Sequence, residues 1–215
     1  MTSPLLLLYR SPYSTFADKL AERCDTLRCS HLALKVFGDR SKYGLDLDLT
    51  AARLAMHALA KHRTLEETVA FAALYSLYLL PSVSSDVYSC AFVLRACLAR
   101  STRPPPEGTG ADDAERAKLD MKRAHALAVA RALLPGLEKA LQEMPEKELA
   151  AHAKLLNGAV AELAPRDAMQ KHRLAGALKY VQGKLAELQI EHAWLTKWME
   201  ASGFTRYIEG QGERA

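Results

Sequence analysis

Residues 14–100 contain one helix–turn–helix unit written out twice and begun a third time, and this repetition limits the possible folds more than anything else in the chain. Ser14–Asp48 and Leu49–Asp86 align, with Leu20 over Ala55, Ala33 over Thr68, Val36 over Phe71 and Phe37 over Ala72. The units are 35 and 38 residues long, and each closes on an aspartate. A third copy opens at Val87 and runs through Leu98. Repeats of this period are hairpins that cannot bury their apolar faces alone, so they stack on their neighbours.

Composition agrees with helices. Apolar residues make up 49% of the chain and aromatic residues only 7%, while Ala and Leu abound, which favours close-packed helices over β-branched sheets. Residues 1–100 carry 12 Lys+Arg against 9 Asp+Glu, and the remainder 17 against 16. Neither part has the one-signed surplus of an autonomous nucleic-acid-binding domain. Cys24 and Cys29, and Cys90 and Cys97, miss the spacing of zinc knuckles and read as packing residues. No run of 18 apolar residues exists to span a membrane. Residues 1–17 hold hydroxyl residues and Arg10 before Asp18 without an acid between. They read either as a mitochondrial import segment or as an irregular arm around Pro4 and Pro12.

The first hairpin is expected over about Thr15–Asp39, with stripes Phe16, Leu20, Arg23/Cys24 and then Leu32, Val36, Phe37, turning at Asp25-Thr26. In the second, Asp48 or Thr50 caps a helix carrying Leu54, Ala58 and Leu59. Thr64 opens its partner, which carries Val69, Phe71, Ala72, Tyr75 and Leu79 and stops before Pro81. Ser84 or Ser85, with Asp86, caps the third unit's first helix, ending near Arg100. Residues 101–111, with three prolines and two glycines, read as a flexible loop. Residues 112–142 then complete or extend the solenoid through Leu119, Ala126, Leu127, Ala130 and Leu133, with an interruption at Pro135-Gly136.

Residues 145–201 read as a long antiparallel helical hairpin. Its second helix, about 167–201, carries Leu174, Leu178, Val181, Leu185, Leu188, His192, Leu195 and Met199 at alternating intervals of four and three. Residues 202–215 form a polar tail. The expected fold is therefore all-α: a short right-handed superhelix of helix–turn–helix repeats followed by the hairpin.

The segments Ala33-Leu34-Lys35-Val36-Phe37, Leu65-Glu66-Glu67-Thr68-Val69 and Ser85-Asp86-Val87-Tyr88-Ser89-Cys90 resemble pentatricopeptide repeats. The resemblance covers about two-fifths of the chain, residues 14–100, and other helical repeats share such hairpins. It implies an organellar, mitochondrial-matrix protein. Such repeats read single-stranded RNA through an early residue of each first helix and the residue closing the repeat. Asp48 and Asp86 suit the closing position, but Asp18, Arg53 and Ala91 occupy the early ones, and neither aspartate nor alanine suits base reading. The resemblance then implies the family's other role, a small structural subunit of a mitochondrial assembly, above all the ribosome.

Two surfaces carry the remaining expectations. Arg53, Lys61, Arg63, Arg95, Arg100 and Arg103, with His62, lie on first helices and their exits, and form either a basic strip against RNA phosphate or a solvated face. Ile190, Trp194 and Trp198 form a stripe that either docks a partner protein or packs on the repeats. His57 and His62, five apart, read as surface or hairpin residues, and His192 as a register-setting seam residue. No phosphate loop, nucleophile elbow or paired-histidine zinc motif is present, so the sequence points to no enzyme, cofactor, metal or small-molecule substrate. Three functions compete: a structural subunit of a mitochondrial ribonucleoprotein touching other subunits and rRNA backbone, an organellar RNA-processing or translation factor, and an RNA-free adapter in a respiratory or ATP-synthase assembly.

Overall fold

A computed structural model describes residues 12–62, 65–104, 113–144 and 165–202. The chain is all-α: every regular element among the described residues is a helix. They are α1 (Pro12–Thr26), α2 (His31–Gly38), the single turn α3 (Arg40–Tyr43), α4 (Leu49–His62), α5 (Leu65–Leu77), α6 (Val87–Ser101), α7 (Asp113–Gln142), α8 (Pro165–Glu187) and α9 (Ala193–Ala201). The first five belong to one compact unit ending at Ser82, and the other four to a second beginning at Val83.

In the first unit α1 pairs with α2 and α4 with α5, and the two hairpins lie side by side, α1 against α4 and α2 against α5. Pro12 opens α1, where its missing N–H removes nothing. The helix buries Ala17, Ala21 and Cys24, small side chains that let α4 approach closely. Central α4 is buried nearly all round, from Ala51 through Ala60. In the second row, Phe37 of α2 meets Phe71 of α5 edge-to-face with ring centroids 6.3 Å apart. Ala33 and Thr68, equivalent in the repeat alignment, are both fully buried.

The stripes differ from expectation in detail. Leu32 and Val69 face outward, because the buried faces of α2 and α5 are set by Ala33/Phe37 and Phe71/Tyr75. Arg23 is exposed and Cys24 buried. The first turn falls after Thr26, so Asp25 and Thr26 are the last residues of α1 and not the connection.

Both closing aspartates start the next helix. Asp48 accepts the Ala51 N–H at 2.8 Å, and Asp86 accepts the Ser89 N–H at 3.0 Å and its hydroxyl at 2.6 Å. These are N-caps, each satisfying a first-turn donor that lacks a helical partner.

In the second unit α6 packs against α7 and α8, and α9 against α7. The helix expected over 112–142 is α7, and it packs on α6. It is not interrupted at Pro135-Gly136: α7 runs unbroken through both. Pro135 and Arg131, whose carbonyl the proline cannot serve, both lie on the exposed face, so water can take that carbonyl. Gly136 sits close to another backbone. A Cβ there would lie 3.1 Å from the Ser84 carbonyl oxygen and Cβ, so the absent side chain permits backbone contact.

The long last helix is corrected. It breaks after Glu187, and α9 begins at Ala193. Gln189 turns left-handed at φ 55°, and the Ile190 N–H closes back on the Leu185 carbonyl at 2.9 Å. Leu174, Leu178, Val181, Leu185, Leu195 and Met199 are all buried, so the apolar periodicity runs on across a turn. His192 is the N-cap position of α9 and not a seam residue. The hairpin partner expected over 145–164 lies outside the described residues.

Candidate functional site

The basic residues are separated by role. Arg63 lies outside the described residues. On α4, Lys61 is exposed and Arg53 half-buried. In the second unit Arg103 is exposed and Arg100 half-buried. Arg95 is committed within the fold: its guanidinium lies 5.3 Å from the centroid of the Tyr180 ring, joining α6 to α8. Arg123, which the sequence reading passed over, donates to the Arg103 carbonyl and pairs with Asp120 at 3.1 Å.

Three of the positions that would read bases are placed inside, while Asp48 and Arg53 are half-buried. Asp18 and Ala91 are both 0% exposed, and Asp86 is 5% exposed with its carboxylate held in the cap. A side chain in that setting cannot present hydrogen-bonding groups to a splayed base without dismantling its own helix start.

The expected stripe Ile190, Trp194 and Trp198 does not form along one helix, because Ile190 falls in the α8–α9 turn. Trp198 is half-buried and donates its indole N–H to the Leu141 carbonyl at 3.1 Å, at the C-terminal end of α7. It therefore serves as a packing anchor within its unit. Trp194, four residues earlier on α9, is half-exposed. Ile190 lines a shallow hollow of about 460 Å³ with His192, Ala193 and Thr196. His192 Nδ1 lies 2.7 Å from the Ile190 carbonyl and Gln182 donates to Thr196 Oγ1 at 2.9 Å, which fixes the turn.

Two features were invisible to spacing along the chain. His57, which is buried, and His62, which is half-buried, converge on Asp25 at the end of α1. His62 Nε2 is 3.2 Å from one carboxylate oxygen and His57 Nδ1 3.7 Å from the other. The carboxylate ties α1 to α4, and only the fold brings it there.

The second feature is the outer face of α5. Val69, Ala70, Ala73, Ser76 and Leu77 are exposed and carry no charge. Leu79, just beyond the helix, is 93% exposed. Beyond the exposed Glu66 of the first turn, such an uncharged run is unusual for a surface.

No known family, curated protein or solved structure matches this chain. Functional interpretation therefore rests on the residues. Among the described residues no cluster of His, Cys, Asp and Glu could hold a metal, and no helix is long and apolar enough to cross a membrane.

Proposed function

We propose that this chain is a non-enzymatic structural subunit of a mitochondrial ribonucleoprotein, with the ribosome the first candidate, acting through protein–protein contacts and non-specific contacts to RNA backbone. The observation that carries the reading is the run of uncharged exposed residues on α5 from Val69 to Leu77, set on paired hairpins in which Asp18, Asp86 and Ala91 are buried. Stacked hairpins of this kind offer surfaces along their length. Exposed cations such as Lys61 and Arg103 are free of the core and suit phosphate contact, which needs charge but no base geometry. The mitochondrial assignment rests on the pentatricopeptide resemblance of residues 14–100.

The apolar character of the α5 face also favours a second reading, an RNA-free adapter in a respiratory or ATP-synthase assembly. Sedimentation of the native protein with and without ribonuclease separates these readings. Co-migration with ribosomal particles supports the first, and a large ribonuclease-resistant complex the second. A small ribonuclease-sensitive particle points instead to an organellar RNA-processing or translation factor.

A further inference from the structure

Four free cysteines fall into two pairs, which the fold treats oppositely. Cys90 and Cys97 are buried on one helix, α6, seven positions apart. Seven residues of helix rise span about 10.5 Å, well beyond the Cα separation of about 4.4–6.8 Å that a disulfide bridges. Cys24 and Cys29 instead flank the turn that ends α1. The Cys29 N–H donates to the Cys24 carbonyl at 2.9 Å, and inside that loop the Arg28 N–H donates to the Asp25 carbonyl at 3.2 Å. Arg28 is left-handed at φ 55°. This pair of nested bonds is the Schellman helix ending, and it presses together the side chains at the two ends of its outer bond. Here those side chains are the two thiols of Cys24 and Cys29.

Their exposures are also complementary. Cys24 is 2% exposed, while Cys29 is half-exposed and reachable from solvent. Burial and the neighbouring Cys29 push the Cys24 thiol up to about 11, so near neutral pH it remains protonated. An exposed attacking sulfur backed by a buried resolving thiol is the arrangement that two-step thiol oxidation uses.

We propose that Cys24 and Cys29 form a redox-active dithiol that hydrogen peroxide converts into an intramolecular disulfide, a modification site that locks the turn between α1 and α2. Cys29, as thiolate, attacks one peroxide oxygen. The O–O bond breaks and the departing hydroxide leaves as water after taking a proton, giving a sulfenic acid on Cys29. Cys24 then gives up its proton and attacks the Cys29 sulfur. The S–O bond breaks and a second water leaves. Two thiols lose two electrons in all, and one peroxide is reduced to two waters. The closed ring contains Asp25, the residue that also holds His62, so oxidation stiffens the joint of α1 with α2 and with α4 together.

Peptide mapping of the full-length protein tests this directly. Trypsin cuts after Arg23, Arg28 and Lys35, which puts the two cysteines on separate peptides, 24–28 and 29–35. The reduced protein is treated with hydrogen peroxide, denatured with an alkylating agent present, and digested without reductant. The expected product is the two peptides joined, lighter than their sum by two hydrogens and separated by dithiothreitol, with Cys90 and Cys97 alkylated. In the Cys24→Ser variant, dimedone should trap a sulfenic acid on Cys29. Recovery of the wild-type peptides unlinked, whether reduced or with Cys29 oxidised alone, overturns the proposal. So does equal linkage of Cys90 to Cys97, which would show that the oxidant acts on unfolded chain.

Discussion

The indole N–H of Trp198 on α9 donates to the carbonyl of Leu141 at the end of α7, 57 residues away, at 3.1 Å. That carbonyl is among the last of its helix and takes only a long bond from the Met144 N–H, at 3.4 Å, so the tryptophan adds a shorter one from another element. Trp198→Phe keeps most of the ring's packing and removes the donor, and should cost about 1 kcal/mol in urea denaturation. Trp198→Ala removes both and should cost roughly 3 kcal/mol. Unchanged stability in both variants would return this residue to the docking surface.

Asp86 offers a cleaner separation of structure from RNA reading. As an N-cap it should tolerate Asn, whose side-chain oxygen also accepts from the Ser89 amide, whereas Asp86→Ala should lose about 1–2 kcal/mol. A residue that read a base would respond otherwise. Asp86→Asn would then change base preference in RNA binding while leaving stability alone.

Three helices end on the same left-handed turn, at Arg28, Leu79 and Gln189, each with φ 55° and none a glycine. Side chains other than Gly and Asn cost about 1–2 kcal/mol there, against the roughly 0.5–1 kcal/mol that Gly loses in flexibility. Leu79 is 93% exposed, so its replacement sacrifices little packing. Leu79→Gly should therefore raise the urea midpoint, by the equivalent of roughly 0.5–1 kcal/mol. A fall would mean that Leu79 is covered in solution.

These turns explain which parts of the fold the sequence made legible. The repeat register, the α6 boundaries and the Asp48 and Asp86 caps follow from local chemistry: apolar period and a carboxylate at a helix start. The break at Gln189 left no such mark. No Gly or Pro signals it, and the buried Leu185 and Leu195 keep heptad spacing across it. At Pro135 the local signal was present but misleading, since an outward-facing proline leaves its orphaned carbonyl to water. The Asp25–His62 contact joins residues 37 apart and depends wholly on α1 packing against α4. Arg95 was legible as a cation, but its ring partner Tyr180 lies on a helix that no spacing connects to α6.

Burial within α6 pushes the Cys90 thiol up to about 12, with Asp86 and Cys97 adding to the effect, and burial alone raises Cys97 to about 12. The neutral thiols are thus favoured in the folded state. Their contribution is whole below the unfolded value of 9.0 and is lost as pH climbs toward 12. Each pH unit in that window costs about 1.4 kcal/mol per thiol. Urea midpoints of the wild type should fall steeply above about pH 9. The Cys90→Ala/Cys97→Ala protein should start lower and fall less. Parallel curves would remove the thiols as the cause.

The expected basic strip divides into residues that can be tested for RNA contact and one that cannot be tested simply. Lys61 and Arg103 are exposed, so Lys61→Glu and Arg103→Glu should leave the denaturation midpoint within about 0.5 kcal/mol of wild type. If both touch phosphate, the slope of log affinity against log salt for single-stranded RNA should shrink by about 0.7 for each residue reversed. Arg95→Glu differs, because it also breaks the stack on Tyr180 and places a carboxylate against the ring face. It should cost about 1 kcal/mol or more in stability whether or not RNA is bound. A Tyr180→Leu variant keeps the cation and removes the stack, so it isolates that structural share. RNA affinity lost in Arg95→Glu but kept in Tyr180→Leu would assign Arg95 to phosphate. Equal loss in both would assign it to the joint between α6 and α8, and leave only the exposed cations to meet the backbone.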